Sequence, residues 1–123
     1  MCVAMLVIRD AQMNVFRDKI LEEFEGRRLV DLAHRFPSRY KELGQQGARA
    51  IIQRAVRMCD KLGVHAERDV ANVIDLMVYY GESFDVDPKL EFETAPLHNP
   101  SLSGDARVPL TMARLGVEPG FHE

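Results

Sequence analysis

The sequence predicts an all-α protein: a small helical bundle built on a long N-terminal helix and a central αα-hairpin, with an irregular, Pro-rich C-terminal segment. Three observations predict this class. Apolar residues recur at spacings of three and four in several stretches, which gathers them on one helical face. Glycines stand where those stripes stop, and only glycine takes positive φ without a Cβ penalty. No stretch alternates apolar and polar residues with the period of two that a half-buried strand requires. At 123 residues, with 46% hydrophobic and 28% charged residues, the chain is one globular domain with one core. Within residues 1–123, residues 1–9 are expected to be irregular, as are residues 93–123.

In chain order, Asp10 is a natural N-cap for a first helix, since its carboxylate can accept from the exposed amides of the opening turn. Met13, Phe16, Ile20 and Phe24 then step by three, four and four residues. The stripe loses phase at Gly26 and resumes as Leu29, Leu32, Ala33 and Phe36. Residues 10–36 are read as one long helix with a defect at Gly26, where glycine costs about 1 kcal/mol against alanine. Pro37 ends the pattern, and Pro37–Leu43 forms one or two turns closed by Gly44. The clearest stretch runs from Gly47 to Gly81. Ala48, Ile51, Ile52, Ala55, Val56, Cys59 and Leu62 share one face, and Val70, Val73, Ile74 and Met77 share another. Gly63 and Gly81 suit left-handed C-terminal positions. The short connection makes the two stripes fold back on each other, although His65 and Ala66 give the second helix a weak cap.

Beyond Gly81 the pattern breaks up. Phe84 is the only large apolar anchor of a polar turn, and Asp87-Pro88 fits an N-cap followed by proline at the first helical position. Leu90 and Phe92 suit a short helix after it. Pro96, Asn99, Pro100 and Gly104 interrupt the next stretch of chain. Leu110, Ala113 and Leu115 give a last weak helical pattern that Pro109 should prevent from being regular, and Val117–Glu123 reads as a tail.

Charge is uneven around a net −3. Residues 35–61 carry seven basic and two acidic groups, whereas residues 62–123 carry four basic and eleven acidic. Packing of the two halves against each other is the simpler expectation, and a basic partner surface is the alternative. No apolar run approaches the ~20 residues of a membrane-spanning helix, and the opening apolar stretch lacks the basic start and cleavage site of a signal peptide. Cys2 and Cys59 form no close-spaced pair. Cys59 lies on an apolar face, so both are expected as reduced thiols.

No catalytic, cofactor or metal motif appears, so no catalytic, cofactor-binding or metal residues are assigned. His34, His65, His98 and His122 are scattered, without H-E-x-x-H or C-x-x-C spacing. Asp85-Val-Asp87 supplies two carboxylates, but Pro88 follows and the calcium loop's glycine and closing glutamate are missing. Glu22, Glu23 and Glu25 are carboxylates by type alone, diverging around a helix. Arg54, Arg57 and Lys61 share a helix face at i, i+3 and i+7, which can bind phosphates. Without interleaved aromatics on an acidic chain, a solvated face is the simpler reading. Tyr79 and Tyr80 are expected to close the bundle, with an exposed contact patch as the alternative. The residues proposed for partner binding are Arg54, Arg57, Lys61, Tyr79, Tyr80 and Phe84.

A resemblance bears on function. Ile8-Arg-Asp-Ala-Gln-Met13, Phe24-Glu25 with Arg27, Phe36-Pro37, Leu43-Gly44, Gly63 with Glu67-Arg68-Asp69-Val70, Leu76-Met77, Gly81, Phe84-Asp85 and Asp87-Pro88 carry it. In these the chain resembles small helical bacterial proteins that accompany type VI secretion and polymorphic-toxin genes, over roughly residues 5–92. The resemblance implies a non-enzymatic accessory, adaptor or chaperone-like, that binds another protein: a secreted toxin or a secretion component. An immunity protein is the closest alternative, and a small secreted effector, enzyme or nucleic-acid binder a more distant one. The expected location is the bacterial cytoplasm, with neither membrane nor cofactor involved. His65-Ala66 departs from the Thr or Ser cap expected there.

Overall fold

In the computed structural model, the structure describes the backbone of residues 2–123 and the side chains from Asp18 onward. Among the described residues five α-helices succeed one another: α1 (Cys2–Arg35), α2 (Pro37–Leu62), α3 (Glu67–Tyr80), α4 (Glu91–Thr94) and α5 (Gly104–Leu115). Three 3₁₀ turns, Phe84–Val86, Pro88–Leu90 and Ala95–His98, flank α4. No strand occurs among the described residues, so the fold is all-α with the packing of a small bundle.

The first helix is single and longer than the sequence suggests. Residues 2–9, expected to be irregular, lie within it, and Asp10 is interior rather than a cap. Nothing between Cys2 and Gly26 is a glycine or proline, so nothing local stops the helix. Met13, Phe16 and Cys2 have side chains outside the described residues. Ile20 is 49% exposed, and burial of the stripe begins at Phe24. Gly26 stays helical rather than interrupting the helix, and a Cβ there would meet nothing.

The helix α2 begins at Pro37 and is interrupted at Gly44, whose φ of 71° and ψ of 171° separate the first short helical piece from the hairpin helix. Ala48, Ile51, Ile52, Ala55 and Cys59 are buried on its inner face, as their spacing predicts. Gly63 ends it at φ 72°, with the Gly63 and Val64 amides donating to the Asp60 and Cys59 carbonyls. This is a Schellman arrangement whose next residue, Val64, inserts into the core. The third helix packs back on α2, completing the αα-hairpin. Ala66 at its start caps with no side-chain hydrogen bond, while Glu67 and Asp69 place negative charge on its positive end. Gly81 departs from expectation. Its φ of 115° is positive, but its ψ of 157° leaves the helix in an extended direction rather than a left-handed cap.

The C-terminal segment is where structure and sequence differ most. A 12-residue helix, α5, runs through Pro109, which is exposed and only one turn past the helix start. The ring removes a single ladder bond, to a carbonyl of the exposed first turns, so the interruption stays local. The face that α5 buries is Val108, Thr111 and Met112, whereas Leu110 and Ala113 face outward. Thr111 can be buried because its hydroxyl donates to the Arg107 carbonyl at 2.9 Å. The core thus joins α1, α2, α3 and α5, with Phe84 and Leu97 filling its far side.

Two contacts fix α5 on the hairpin. Arg107 Nη1 donates to the Leu62 carbonyl at 2.7 Å, supplying a cation to the C-terminal end of α2. Gly104 lies so close to the turn that an added Cβ would stand 2.0 Å from the Gly63 carbonyl oxygen. Only a residue without a side chain permits that approach.

Candidate functional site

A single arginine organises the surface between α1, α3 and the tail. Arg35, in the last turn of α1, directs one guanidinium nitrogen to both oxygens of Asp75, each at 2.9 Å. Its Nε donates to Asp31 Oδ1 at 3.0 Å, its Nη2 reaches Asp31 Oδ2, and its Nη1 donates to the Phe121 carbonyl at 2.7 Å. The same guanidinium lies 5.3 Å from the centre of the Phe36 ring. Asp75 is 2% exposed, and desolvation pushes its carboxyl up to about 6 despite the opposing arginine. Asp31 moves the other way, held below the ordinary carboxylate range chiefly by the Arg35 hydrogen bond. The two carboxylates share one cation and differ because one is buried and the other is not.

Beside this cluster an open cleft of about 830 Å³ runs between α1, α3, α5 and the residues after α5. Arg28, Arg35, Arg68 and Asn72 line one side, and Met112, Val117 and Pro119 the other. Asp69 also borders it, 2% exposed, with its carboxyl raised by desolvation. Arg28 donates to Asp31 at 3.3 Å and stacks 5.8 Å from the Phe24 ring, while its Nε is buried without a hydrogen-bond partner. Three guanidinium groups, the carboxylates of Glu67, Asp69 and Glu118 and the Asn72 amide supply the polar lining, over an otherwise apolar floor.

The tail closes one end of the cleft and is docked rather than trailing. A second Schellman arrangement at Gly116, φ 74°, turns the chain back, with Val117 donating to the Met112 carbonyl. Gly120 takes φ 81°, and Phe121 then enters a set of rings: 5.4 Å from Phe36 and 5.5 Å from Tyr79, both edge-on. Tyr79 meets Tyr80 in the same manner at 4.8 Å. Beyond Phe121, the Glu123 amide donates to the Arg35 carbonyl at 3.2 Å. Glu123 Oε1 accepts from the Ser38 amide at 2.7 Å and the Arg39 amide at 3.4 Å. The N-cap residue of α2, Phe36, has no side chain able to do this, so Glu123, 85 positions beyond Ser38, serves as the cap.

The sequence-derived candidates fare unequally. Tyr79 is 47% exposed and Tyr80 partly buried, so the pair belongs in part to the surface, beside Phe121. Phe84 is 1% exposed and fills the core, which removes it from the candidates for contact. It is buried because Gly81 and the 3₁₀ turn at Phe84–Val86 fold it under α3 and α4. Arg54, Arg57 and Lys61 are exposed, with Arg54 at 4.0 Å from Glu82. That one wide contact is all the neutralisation the acidic half gives this face among the described residues. Arg49, one turn earlier, pairs instead with Glu25 of α1 at 2.8 Å. The structure does not bring the basic stripe to the aromatic cluster.

Sequence reading missed Arg35, Asp75, Phe121 and Glu123. Asp75 had a signal, a lone carboxylate inside Val73-Ile74-Asp75-Leu76-Met77, because carboxylates are almost never fully buried unless paired. The other three had none. Elsewhere, His98 Nε2 lies 3.0 Å from Asp85 Oδ2 at a shallow groove whose single hydroxyl, on Thr94, is bonded to the Leu90 carbonyl. The Cys59 thiol is pushed up to about 12 by burial, which leaves it protonated and a poor nucleophile. No group of three His, Cys, Asp or Glu among the described residues could hold a metal ion, and no helix there is long and apolar enough to cross a membrane.

Compared with known proteins, the chain matches no family model, no curated protein and no solved structure.

Proposed function

We propose that this chain is a non-enzymatic protein-binding accessory, adaptor or chaperone-like, of a bacterial secreted toxin or of a type VI secretion system. The observation that carries the binding part of this reading is Tyr79. It is nearly half exposed yet held by edge-on contacts with Tyr80 and with Phe121 of the tail segment, which closes a cleft lined with both guanidinium and carboxylate groups. An aromatic side chain already ordered loses little freedom on binding, and tyrosine and arginine dominate the energetics of protein interfaces. The helical bundle is the rigid support. Secretion and toxin context rests on the sequence resemblance alone.

The test is co-purification of the full chain with the products of its neighbouring genes, then co-expression with any that is toxic. Retention of a neighbour that is lost on Tyr79→Ala supports the reading, and retention of none overturns it. Suppression of toxicity through occlusion of a toxin's active site moves the protein to the immunity class. Salt-sensitive binding to a random DNA duplex, lost when Arg54, Arg57 and Lys61 are replaced, moves it to nucleic-acid binding.

A further inference from the structure

The docked tail shows what the surface around Tyr79 accepts. We propose that Phe36, Tyr79, Arg35 and the first amides of α2 form a peptide-recognition socket for a segment of another protein with the pattern glycine, aromatic, any residue, acidic, and that residues 117–123 are its resident occupant. This deepens the protein-binding reading above and rests on it.

Each element of the pattern has a counterpart. The aromatic is set by Phe36 and Tyr79, which meet the Phe121 ring edge-on at 5.4 and 5.5 Å. The acidic position is set by the Ser38 and Arg39 amides, which donate to Glu123 Oε1 at the positive end of α2. Arg35 reads backbone rather than side chain, donating to the Phe121 carbonyl at 2.7 Å, and its own carbonyl accepts from the Glu123 amide. The intervening His122 is exposed and bonds only within the tail, so its position is free. Glycine precedes the aromatic because the chain must take φ 81° to turn the ring inward.

The occupant is held by contacts a second peptide can reproduce. Glu118, Pro119, Gly120, His122 and Glu123 are all exposed, and only Val117 and Phe121 are partly covered. Segments with so little buried surface open at a small fraction of the global free energy. While attached, the tail competes at an effective concentration of about millimolar. A free peptide therefore binds the intact chain weakly and a chain with a disabled tail far better. A partner that carries the pattern and also touches the cleft gains avidity against the tail.

The experiment uses full-length chains and a fluorescein-labelled heptapeptide, Val-Glu-Pro-Gly-Phe-His-Glu, monitored by anisotropy. Wild type is compared with Phe121→Ala/Glu123→Gln, whose helix content is checked by far-UV circular dichroism. Binding to the double variant at least tenfold tighter than to wild type is expected. It should be lost when the peptide's Phe becomes Ala, and reduced at least tenfold when Tyr79→Ala is added to the chain. Absence of saturable binding to the folded double variant overturns the proposal, as does binding indifferent to either aromatic. Because Phe121→Ala could disturb the fold, Glu123→Gln alone provides a second measurement. Faster hydrogen exchange at the Ser38 amide is expected, and unchanged exchange overturns the assigned acidic position. Failure here leaves the co-purification result standing, and failure of co-purification leaves peptide binding measurable, so the two readings fall separately.

Discussion

Replacing Arg35 with methionine tests the cluster on which α1, α3 and the tail converge. The substitution preserves an unbranched apolar stem and removes the cation. Asp75 then remains 2% exposed without the donor that meets both of its oxygens. Removing one partner of a buried pair costs about 3–5 kcal/mol, because the remaining charge is left uncompensated. A domain of this length has a total stability of about 6–18 kcal/mol, so the loss is a large share of it. With a urea slope of about 1–3 kcal/mol per molar, the midpoint at pH 7 falls by at least about 1 M, as read by circular dichroism.

The pH dependence sharpens the same test. In the folded wild type Asp75 titrates at about 6, above its unfolded value of 3.8. Between those values the folded state holds the extra proton. The associated stability is therefore fully present below the unfolded value and is lost as pH rises through about 6, a change on the order of 2–3 kcal/mol. Asp31 contributes in the opposite sense at lower pH, since its folded value is depressed and its contribution is lost as pH falls through it. Without Arg35, Asp75 escapes its penalty by protonation, so the deficit of Arg35→Met relative to wild type shrinks between pH 7 and pH 5. Adding Asp75→Leu should recover more than half of the loss at pH 7, leaving the missing bonds to Asp31 and the Phe121 carbonyl as the remainder. A loss below about 1 kcal/mol at pH 7, or a deficit equal at pH 5 and pH 7, would refute the reasoning.

Gly104→Ala places a Cβ against the Gly63 carbonyl, so α5 or the α2–α3 turn must shift; a loss of about 2 kcal/mol and a Tm lower by about 5 °C or more are expected by calorimetry. Phe84→Ala costs about 3–5 kcal/mol in urea unfolding, as a core ring does. Phe92→Ala costs less than about 1 kcal/mol, since that ring is exposed and stacks on Arg114 at the surface. In a Cys2→Ser chain, Cys59 should resist a disulfide-exchange reagent at pH 8 and react at the rate of unfolding; rapid stoichiometric labelling would contradict its burial.

The hairpin was legible because its information is local. Ala48, Ile51, Ile52, Ala55 and Cys59 repeat with the helical period, and Gly63 marks a left-handed end, so backbone geometry and burial come from spacing alone. The break at Gly44 and the uncapped start at Ala66 were visible for the same reason. Local rules failed where distant partners decide. Pro109 looked incompatible with a helix, yet α5 forms through it because Val108, Thr111 and Met112 find the core and Arg107 reaches Leu62. Phe84, the apolar anchor of a polar turn and a candidate for partner contact, is instead carried into the core by the turn after Gly81.

What the sequence by itself determined is the class, all-α, and the faces that pack within the hairpin, since periodicity encodes both. Only the tertiary structure decided the candidate site. Arg35 and Asp75 lie 40 residues apart, and Glu123 caps a helix through Ser38, 85 residues earlier. No periodicity spans such separations. An aromatic at position 121 and an acid at 123 acquire meaning only when Gly116 and Gly120 turn the chain back onto α1, α2 and α3, where a ring set and two free amides are already in place.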